Sequence, residues 1–282
     1  MGTSRTYKIE YIDKFIFQQA KLCLLNQNID GVNSELIEKY LTPEEQYDRP
    51  NSMPIIFERF LVSAQNANMK SGVIGGAIGG INNLSSVLHG FNHQKVLDVY
   101  LHDSVKLLDE IVSQLNIKVR RTNKSIWPKY CKTILSVANF LNNFKSAKEL
   151  YVWFDAFNNN YIVRPALPML LSKEIYGFGF ALSCDFVKEL GYVNFPKPDI
   201  HLKDIFVALK LCPEDADDYA LFKSIIRVAK NSNVSPYTAD KIFWLIGSGK
   251  FYNDSHIGKS GKIGSLKTEF IVDMKKKLKQ ID

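Results

Sequence analysis

Apolar residues recur at the spacing of a helix along most of this chain. Two stretches show the pattern clearly, one from Ile134 to Leu141 and, after a polar break, another from Leu150 to Phe157. This spacing places apolar side chains on one face of an α-helix, whereas the strict alternation that is typical of half-buried β-strands is scarce. The pattern therefore predicts an all-α protein.

Residues that are typical of helix starts divide this pattern into separate helices. Thr42-Pro43 and Ser235-Pro236 each place a capping side chain before a proline in the first helical turn. The stretch from Gly72 to Gly80 is rich in glycine yet apolar, so we expect a close-packed turn or loop between helices there. Helices are predicted at 7–26, 33–40, 43–47, 54–70, 94–114, 127–143, 146–157, 165–173, 180–190, 201–209, 217–231, 236–247 and 265–280.

Composition limits the class of protein and the partners to expect. Of the 282 residues, 46% are hydrophobic and 23% are charged, which is enough to bury a substantial core in one domain or in two lobes. Lys and Arg outnumber Asp and Glu by 36 to 29, and this net charge of +7 suits a polyanionic partner such as nucleic acid.

Further expectations follow from the cysteines and from the apolar segments. The cysteines lie too far apart in sequence for a zinc site or an iron–sulfur cluster, so we expect reduced thiols and neither a metal nor a cofactor. Neither a signal peptide nor a membrane span is evident, which makes a cytoplasmic location, or a nucleoid or nuclear location together with DNA, the expectation. The four cysteines are Cys23, Cys131, Cys184 and Cys212.

The segment from Ile175 to Leu190 has the pattern of a tight turn that leads into a helix. Gly177 and Gly179 permit the turn, and they let backbone N–H groups at the start of the second helix approach an anion closely. An ordinary interhelical turn would give the same pattern. A dinucleotide-binding loop is excluded because a helix precedes the turn and Leu182 stands where a third glycine is needed.

Three separated features resemble the helix-hairpin-helix superfamily of DNA glycosylases, which includes endonuclease III and the adenine-mismatch and 8-oxoguanine glycosylases. Gly177-Phe-Gly179 resembles the Gly-Val-Gly hairpin of that family. Pro198-Asp199-Ile-His201 resembles its Val-Asp-Thr-His segment, and the distance of 199 − 177 = 22 positions agrees with endonuclease III. Leu61-Val-Ser-Ala-Gln65-Asn66 resembles its early Leu-Ser-Ala-Gln helix. The resemblance spans roughly Phe57 to Trp244.

The resemblance implies which residue carries the chemistry. Asp199 corresponds to the catalytic carboxylate of the family, although an aspartate after a proline is also a favoured helix cap. Ala181 stands where bifunctional members carry their lysine nucleophile, so we expect hydrolysis by water. Two alternatives stay open, which are a non-catalytic DNA-binding protein and a glycosylase/lyase that uses a different lysine, for which Lys197 is a candidate.

The resemblance also implies how the protein binds duplex DNA. Gly177, Gly179 and Ala181 would contact the DNA backbone. Gln65 and Asn66 would fill the gap that a flipped base leaves, although Trp127 could instead wedge the stack from a loop or simply pack at a helix start. Independently of the resemblance, Lys197 is expected to contact a phosphate or to be a solvated loop charge. A monovalent cation at the hairpin is compatible with this arrangement.

The expected architecture has two helical lobes that flank a DNA-binding cleft. One lobe is a helical barrel at 52–195 that contains the helix-hairpin-helix at 175–190. The second lobe combines 1–51 with 196–282. The partner is expected to be double-stranded DNA that carries a damaged or modified base, bound by a monomer.

Overall fold

The computed structural model describes residues 2–27, 29–43, 49–66 and 72–281. All regular secondary structure in these ranges is helical, apart from isolated β-bridges that Lys262 forms with Lys250 and Gly258. The prediction of an all-α protein is confirmed. None of the helices in these ranges has the length and apolar character needed to cross a membrane.

The α-helices follow one another along the chain with short connections. A 3₁₀ helix at Ile81–Leu84 lies between the fourth and the fifth of them. The α-helices of the described residues are α1 Gly2–Leu25, α2 Ser34–Leu41, α3 Met53–Ala64, α4 Val73–Ile78, α5 His93–Tyr100, α6 Ser104–Leu115, α7 Ile126–Leu141, α8 Ala147–Asn158, α9 Ala166–Glu174, α10 Phe180–Glu189, α11 Ile200–Ala208, α12 Asp218–Asn231, α13 Pro236–Ser248 and α14 Lys267–Leu278.

The chain divides into two compact units. Unit 1 combines Met1–Gln46 with Val193–Asp282, and unit 2 is formed by Tyr47–Tyr192. In unit 1, helices α1, α2 and α11 to α14 share one apolar core. Helix α13 packs against each of the other five, and it can take this central place because it buries side chains from Tyr237 to Ile246 on most of its surface.

Helix α7 is the central element of unit 2. It packs against α3, α5 and α6, and the Tyr130 hydroxyl donates a hydrogen bond of 2.9 Å to the Leu61 carbonyl of α3. Helix α10 packs against α9 and α3, where the Phe60 and Phe186 rings stack with centroids 3.5 Å apart. Helix α10, the second helix of the predicted hairpin, is thereby anchored in the core of this unit.

Two sequence predictions need correction. The single helix predicted at 94–114 is two helices, because Leu101 and His102 adopt positive φ angles of 48° and 65° and the Asp103 carboxylate caps α6 by accepting the N–H groups of Val105 and Lys106. The glycine-rich stretch is not only a loop. It contains the short helix α4, with left-handed glycines at both ends, Gly72 and Gly79.

Part of the prediction falls outside the described residues. The helix predicted at 43–47 lies there apart from its first residue, and so do positions 67–70 of the helix predicted at 54–70. In the described part of the latter, α3 ends at Ala64.

Candidate functional site

The predicted hairpin is a tight turn between α9 and α10. The N–H of Phe178 donates to the carbonyl of Ile175 at 3.2 Å, and Gly177, the third residue of this turn, has a φ of +83°. A positive φ at that place is characteristic of a type II turn and favours glycine. The turn is fixed on α7, because the N–H of Tyr176 donates to the Ser136 hydroxyl at 2.9 Å.

Neither the backbone conformation nor the packing of the chain requires a glycine at position 179. Its φ of −96° is available to any residue, and a Cβ placed on it would meet no atom within 4 Å. Gly177 differs, since a Cβ there would lie 3.1 Å from the Thr133 hydroxyl and its φ is positive. Gly179 is also the N-cap of α10 and provides no capping side chain. An anion can therefore approach the N-terminus of α10 from this open side.

The second helix of the hairpin holds Ala181 and a lysine. Ala181 lies in the first turn of α10 and is partly buried, so this position supplies no amine. Lys188 is 8% exposed, and its ammonium lies 3.4 Å from the Asp185 carboxylate of the same helix. A buried lysine that is paired in this way is not a solvated surface charge.

Asp199 is the N-cap of α11 in unit 1. One carboxylate oxygen, Oδ1, accepts the N–H of His201 at 2.9 Å and that of Leu202 at 3.2 Å. No hydrogen bond from the described residues reaches the other oxygen, Oδ2. The cap therefore fixes the carboxylate by one oxygen and leaves the second to accept a hydrogen bond or a proton.

A second carboxylate lies next to this cap. Asp240 of α13 is 2% exposed, and its Oδ2 accepts the N–H of Lys197 at 2.9 Å, two residues before Asp199. Burial raises the pKa of Asp199, and the negative charge of Asp240 raises it further. The Leu202 N–H and the positive charges of Lys197 and His201 act in the opposite direction, but the net direction of the pKa is upward.

Asp240 was not among the residues selected from the sequence. It stands between Ala239 and Ile242 on a helix whose other inward positions are apolar. An aspartate at a core position of the helical pattern could have marked Asp240 as a candidate site residue, because buried carboxylates are rare unless they are paired or hydrogen-bonded. Spacing alone could not relate it to Asp199, which is 240 − 199 = 41 positions away.

His201 lies where α11 packs against Gly247 of α13. A Cβ on Gly247 of α13 would lie 2.5 Å from the Cβ of His201, so only a glycine permits this approach. The Nδ1 atom of His201 is buried and receives no hydrogen bond from the described residues. These contacts give His201 a packing role, in which it holds the start of α11 against α13.

The predicted gap-filling residues lie at the end of α3. The side-chain oxygen of Gln65 accepts the N–H of Gly75 at 3.1 Å and so joins the end of α3 to α4. The Asn66 side-chain oxygen is buried, without a partner in the described residues. Gln65 is thus held in this structure by a contact inside unit 2, which would have to break for the side chain to enter a DNA duplex.

Trp127 does not form an exposed wedge. It is 9% exposed and packs edge to face on Tyr130, with ring centroids 6.1 Å apart. Insertion between bases would require the indole to leave this packing. In this structure Trp127 packs at the helix start, and its insertion into DNA stays a prediction.

The site residues fall into two groups. In unit 2, Gly177, Gly179 and Ala181 lie together at the turn and the start of α10, and the turn is bonded to α7 through the N–H of Tyr176. In unit 1, Lys197 and Asp199 lie beside Asp240.

Comparison with known proteins gives one similar structure to describe. No family model matches the chain, and no curated protein matches its sequence. Among solved structures, the chain is similar to a crystal structure of Methanocaldococcus jannaschii 8-oxoguanine glycosylase/lyase in complex with 15mer DNA containing 8-oxoguanine. The sequence identity is 17%, the TM-score is 0.47, and the match covers 80% of this chain and 94% of that chain.

Proposed function

We propose that this protein is a DNA glycosylase that hydrolyses the N-glycosidic bond of a flipped, damaged or modified base, with Asp199 as the catalytic carboxylate. The carboxylate at the start of α11 carries the proposal. Its Oδ1 is fixed by two backbone N–H groups, while no donor among the described residues reaches Oδ2. A side chain that served only as a cap would not need the burial and the neighbouring carboxylate that raise its pKa.

The chemistry needs a carboxylate held in this way. As the bond between the sugar C1′ and the base nitrogen lengthens, its electron pair leaves with the base and positive charge develops on the sugar. A fixed negative charge stabilises that state. The oxygen of a water molecule then bonds to C1′, and its proton passes to Oδ2 of Asp199, for which a raised pKa makes the carboxylate a better base.

The hairpin supplies DNA binding that does not depend on base sequence. The N-terminus of α10 carries the positive end of the helix dipole, and the open side of Gly179 lets a phosphate oxygen come close to the backbone there. Contacts of this kind position the DNA backbone and carry no sequence information. The net charge of +7 adds attraction over a longer range.

Ala181 favours hydrolysis over lyase chemistry. A lyase needs an amine that forms a Schiff base with the sugar C1′. Position 181 carries a methyl group, and Lys188 on the same helix is buried beside Asp185. The hairpin therefore offers no amine to attack C1′, and water is the proposed attacking group. Lys197 is the alternative amine to test.

The test uses duplexes that each carry one modified base. We expect abasic sites that become strand breaks only after alkali, and we expect Asp199→Asn to lose base release while it still binds the duplex. Full activity of Asp199→Asn would exclude the assignment of Asp199. Strand breaks without alkali, together with borohydride trapping that Lys197→Gln abolishes, would show a lyase instead. Tight, salt-sensitive binding without release from any duplex would show a non-catalytic DNA-binding protein.

A further inference from the structure

A cavity of about 500 Å³ opens in unit 2 at the loop between α6 and α7. The loop and the first turn of α7 form its walls. The side chains that matter here are those of Lys118, Arg120, Thr122, Lys124, Ser125 and Trp127. The cavity is large enough for a phosphate group with an attached sugar.

The charge of this cavity is strongly positive. Lys118, Arg120 and Lys124 are exposed, and no carboxylate of the described residues lies within salt-bridge distance of any of them. Arg121 of the same loop differs, because it pairs with Asp109. Three cations at one cavity repel one another, so a bound anion would relieve the repulsion as well as form its own ion pairs.

The polar atoms of the cavity suit an oxyanion. The hydroxyls of Thr122 and Ser125 lie 2.7 Å apart, and either can donate. Ser125 is the N-cap of α7, yet its side chain makes no capping hydrogen bond, so the first turn of this 16-residue helix is not capped by a side chain. Trp127 forms a rigid apolar wall, because its ring packs on Tyr130.

Further positive charge leads from this cavity along α7 to the hairpin. Ser125, Lys129, Lys132 and Ser136 follow one another at intervals of four, three and four residues, which places them on one face of the helix. Lys129 and Lys132 are exposed. Ser136 accepts the N–H of Tyr176 in the hairpin turn, and the Lys132 ammonium lies 5.7 Å from the Tyr176 ring centre.

The length of this face matches several nucleotides. From Ser125 to Ser136 there are 136 − 125 = 11 positions, or roughly 16 Å at 1.5 Å of rise per residue. One strand of a DNA duplex rises about 3.4 Å per nucleotide along the duplex axis. The strand also winds around that axis, so successive phosphates lie farther apart than this and the face spans several nucleotides but fewer than about five. A strand bound at the hairpin can therefore reach the cavity along α7.

We propose that the cavity binds an internal backbone phosphate of a DNA strand, which continues along the Lys129 and Lys132 face of α7 to the hairpin. This proposal rests on the DNA binding of the proposed function, but not on its chemistry. It adds Lys118, Arg120 and Lys124 to the binding surface. The contact is with phosphate, so it does not select a base sequence.

The test removes the three charges of the cavity together. The variant Lys118→Gln/Arg120→Gln/Lys124→Gln is compared with a control that removes three exposed lysines elsewhere in unit 2, Lys95→Gln/Lys145→Gln/Lys148→Gln. Fluorescence anisotropy measures binding to one labelled duplex over a range of salt concentrations. We expect the cavity variant to bind about tenfold more weakly, with a salt slope lower by about one, while the control changes little.

The same affinity and salt slope in both variants would overturn the proposal. Circular dichroism melts check that each variant is folded. If the triple variant does not fold, the three single variants replace it, and each must then bind more weakly than its single-lysine control. A duplex with and without a 5′-phosphate distinguishes two sources of the anion. A preference for the 5′-phosphate that the cavity variant loses would assign the cavity to a strand end and overturn the proposal for an internal phosphate.

Failure of this inference is distinguishable from failure of the proposed function. If the protein releases no base from any duplex, yet the cavity variant binds DNA more weakly than the control, the cavity assignment stands without the glycosylase. If bases are released and the cavity variant binds like the control, only the cavity assignment fails.

Discussion

Asp199→Asn should separate stability from activity. Asparagine is as good an N-cap as aspartate, so its side-chain oxygen can keep the hydrogen bonds to the N–H groups of His201 and Leu202. It removes a charge that burial and Asp240 disfavour. The free energy of unfolding at pH 7 should therefore be at least as high as that of the wild type. Asp199→Ala, which loses the cap, should be less stable by about 1 kcal/mol.

The pH dependence of this stability difference follows from the raised pKa of Asp199. A carboxyl whose pKa is higher in the folded state than in the unfolded state destabilises the fold once it is ionised. The wild type should therefore lose stability relative to Asp199→Asn as the pH rises from the unfolded pKa through the folded one. At a pH below both values the two proteins should unfold alike, as urea titrations at several pH values would show.

The activity of the same variant should change in the opposite direction. Loss of one charge that stabilises a transition state costs about 100- to 1000-fold in rate. Single-turnover base release at saturating DNA, on a duplex that the wild type processes, measures this loss. An Asp199→Asn protein that is as unstable as Asp199→Ala but releases the base within about threefold of the wild-type rate would refute the reasoning. Asp199 would then be a cap and nothing more.

Four further predictions concern other positions. Gly179→Ala should fold as stably as the wild type but bind duplex DNA about tenfold more weakly in anisotropy titrations, because its methyl group meets no protein atom and occupies the side from which a phosphate approaches. Gly177→Ala should instead lower the melting temperature, since its φ of +83° costs an alanine about 1–2 kcal/mol; equal melting of the two variants would contradict this reading of the turn. Asp240→Asn should shift the acidic limb of the pH profile of base release to lower pH, because the charge that raises the pKa of Asp199 is gone. The amide oxygen of the variant can still accept the Lys197 N–H. An unchanged acidic limb would count against an effect of Asp240 on the pKa of Asp199. Gly247→Ala should destabilise unit 1 by about 1–3 kcal/mol through its clash with His201, as measured by urea unfolding, and wild-type stability would show that α11 and α13 can separate freely.

The fold class could be predicted because helical periodicity is a local property. The start of α13 is an example, since Ser235 caps it through the N–H of Thr238 and Pro236 occupies its first turn. The break between α5 and α6 was missed because a leucine and a histidine, not a glycine, take the left-handed conformation there. Asp103, the cap of α6, was the signal that could have shown it.

The candidate site was predicted only where its residues are close in sequence. Asp199 and the hairpin glycines have local patterns, whereas Asp240 reaches Asp199 through the packing of α13 against α11. The burial of Trp127 and of Lys188 likewise depends on which face of each helix meets the core. The residues of the basic cavity do lie close together in sequence, but the path of the loop that brings their side chains to one cavity follows no spacing rule.

The helix starts of α10 in unit 2 and of α11 in unit 1 use the same physical property in opposite ways. At α10 the N-cap is Gly179, which supplies no side chain, so the positive end of the helix is left for an anion from outside. At α11 the N-cap is Asp199, whose own carboxylate takes that role through Oδ1. A carboxylate at position 179 would repel the phosphate, and a glycine at position 199 would remove the charge that the reaction needs. The proposed division between DNA binding at α10 and catalysis at α11 therefore requires a glycine at the first cap and an aspartate at the second.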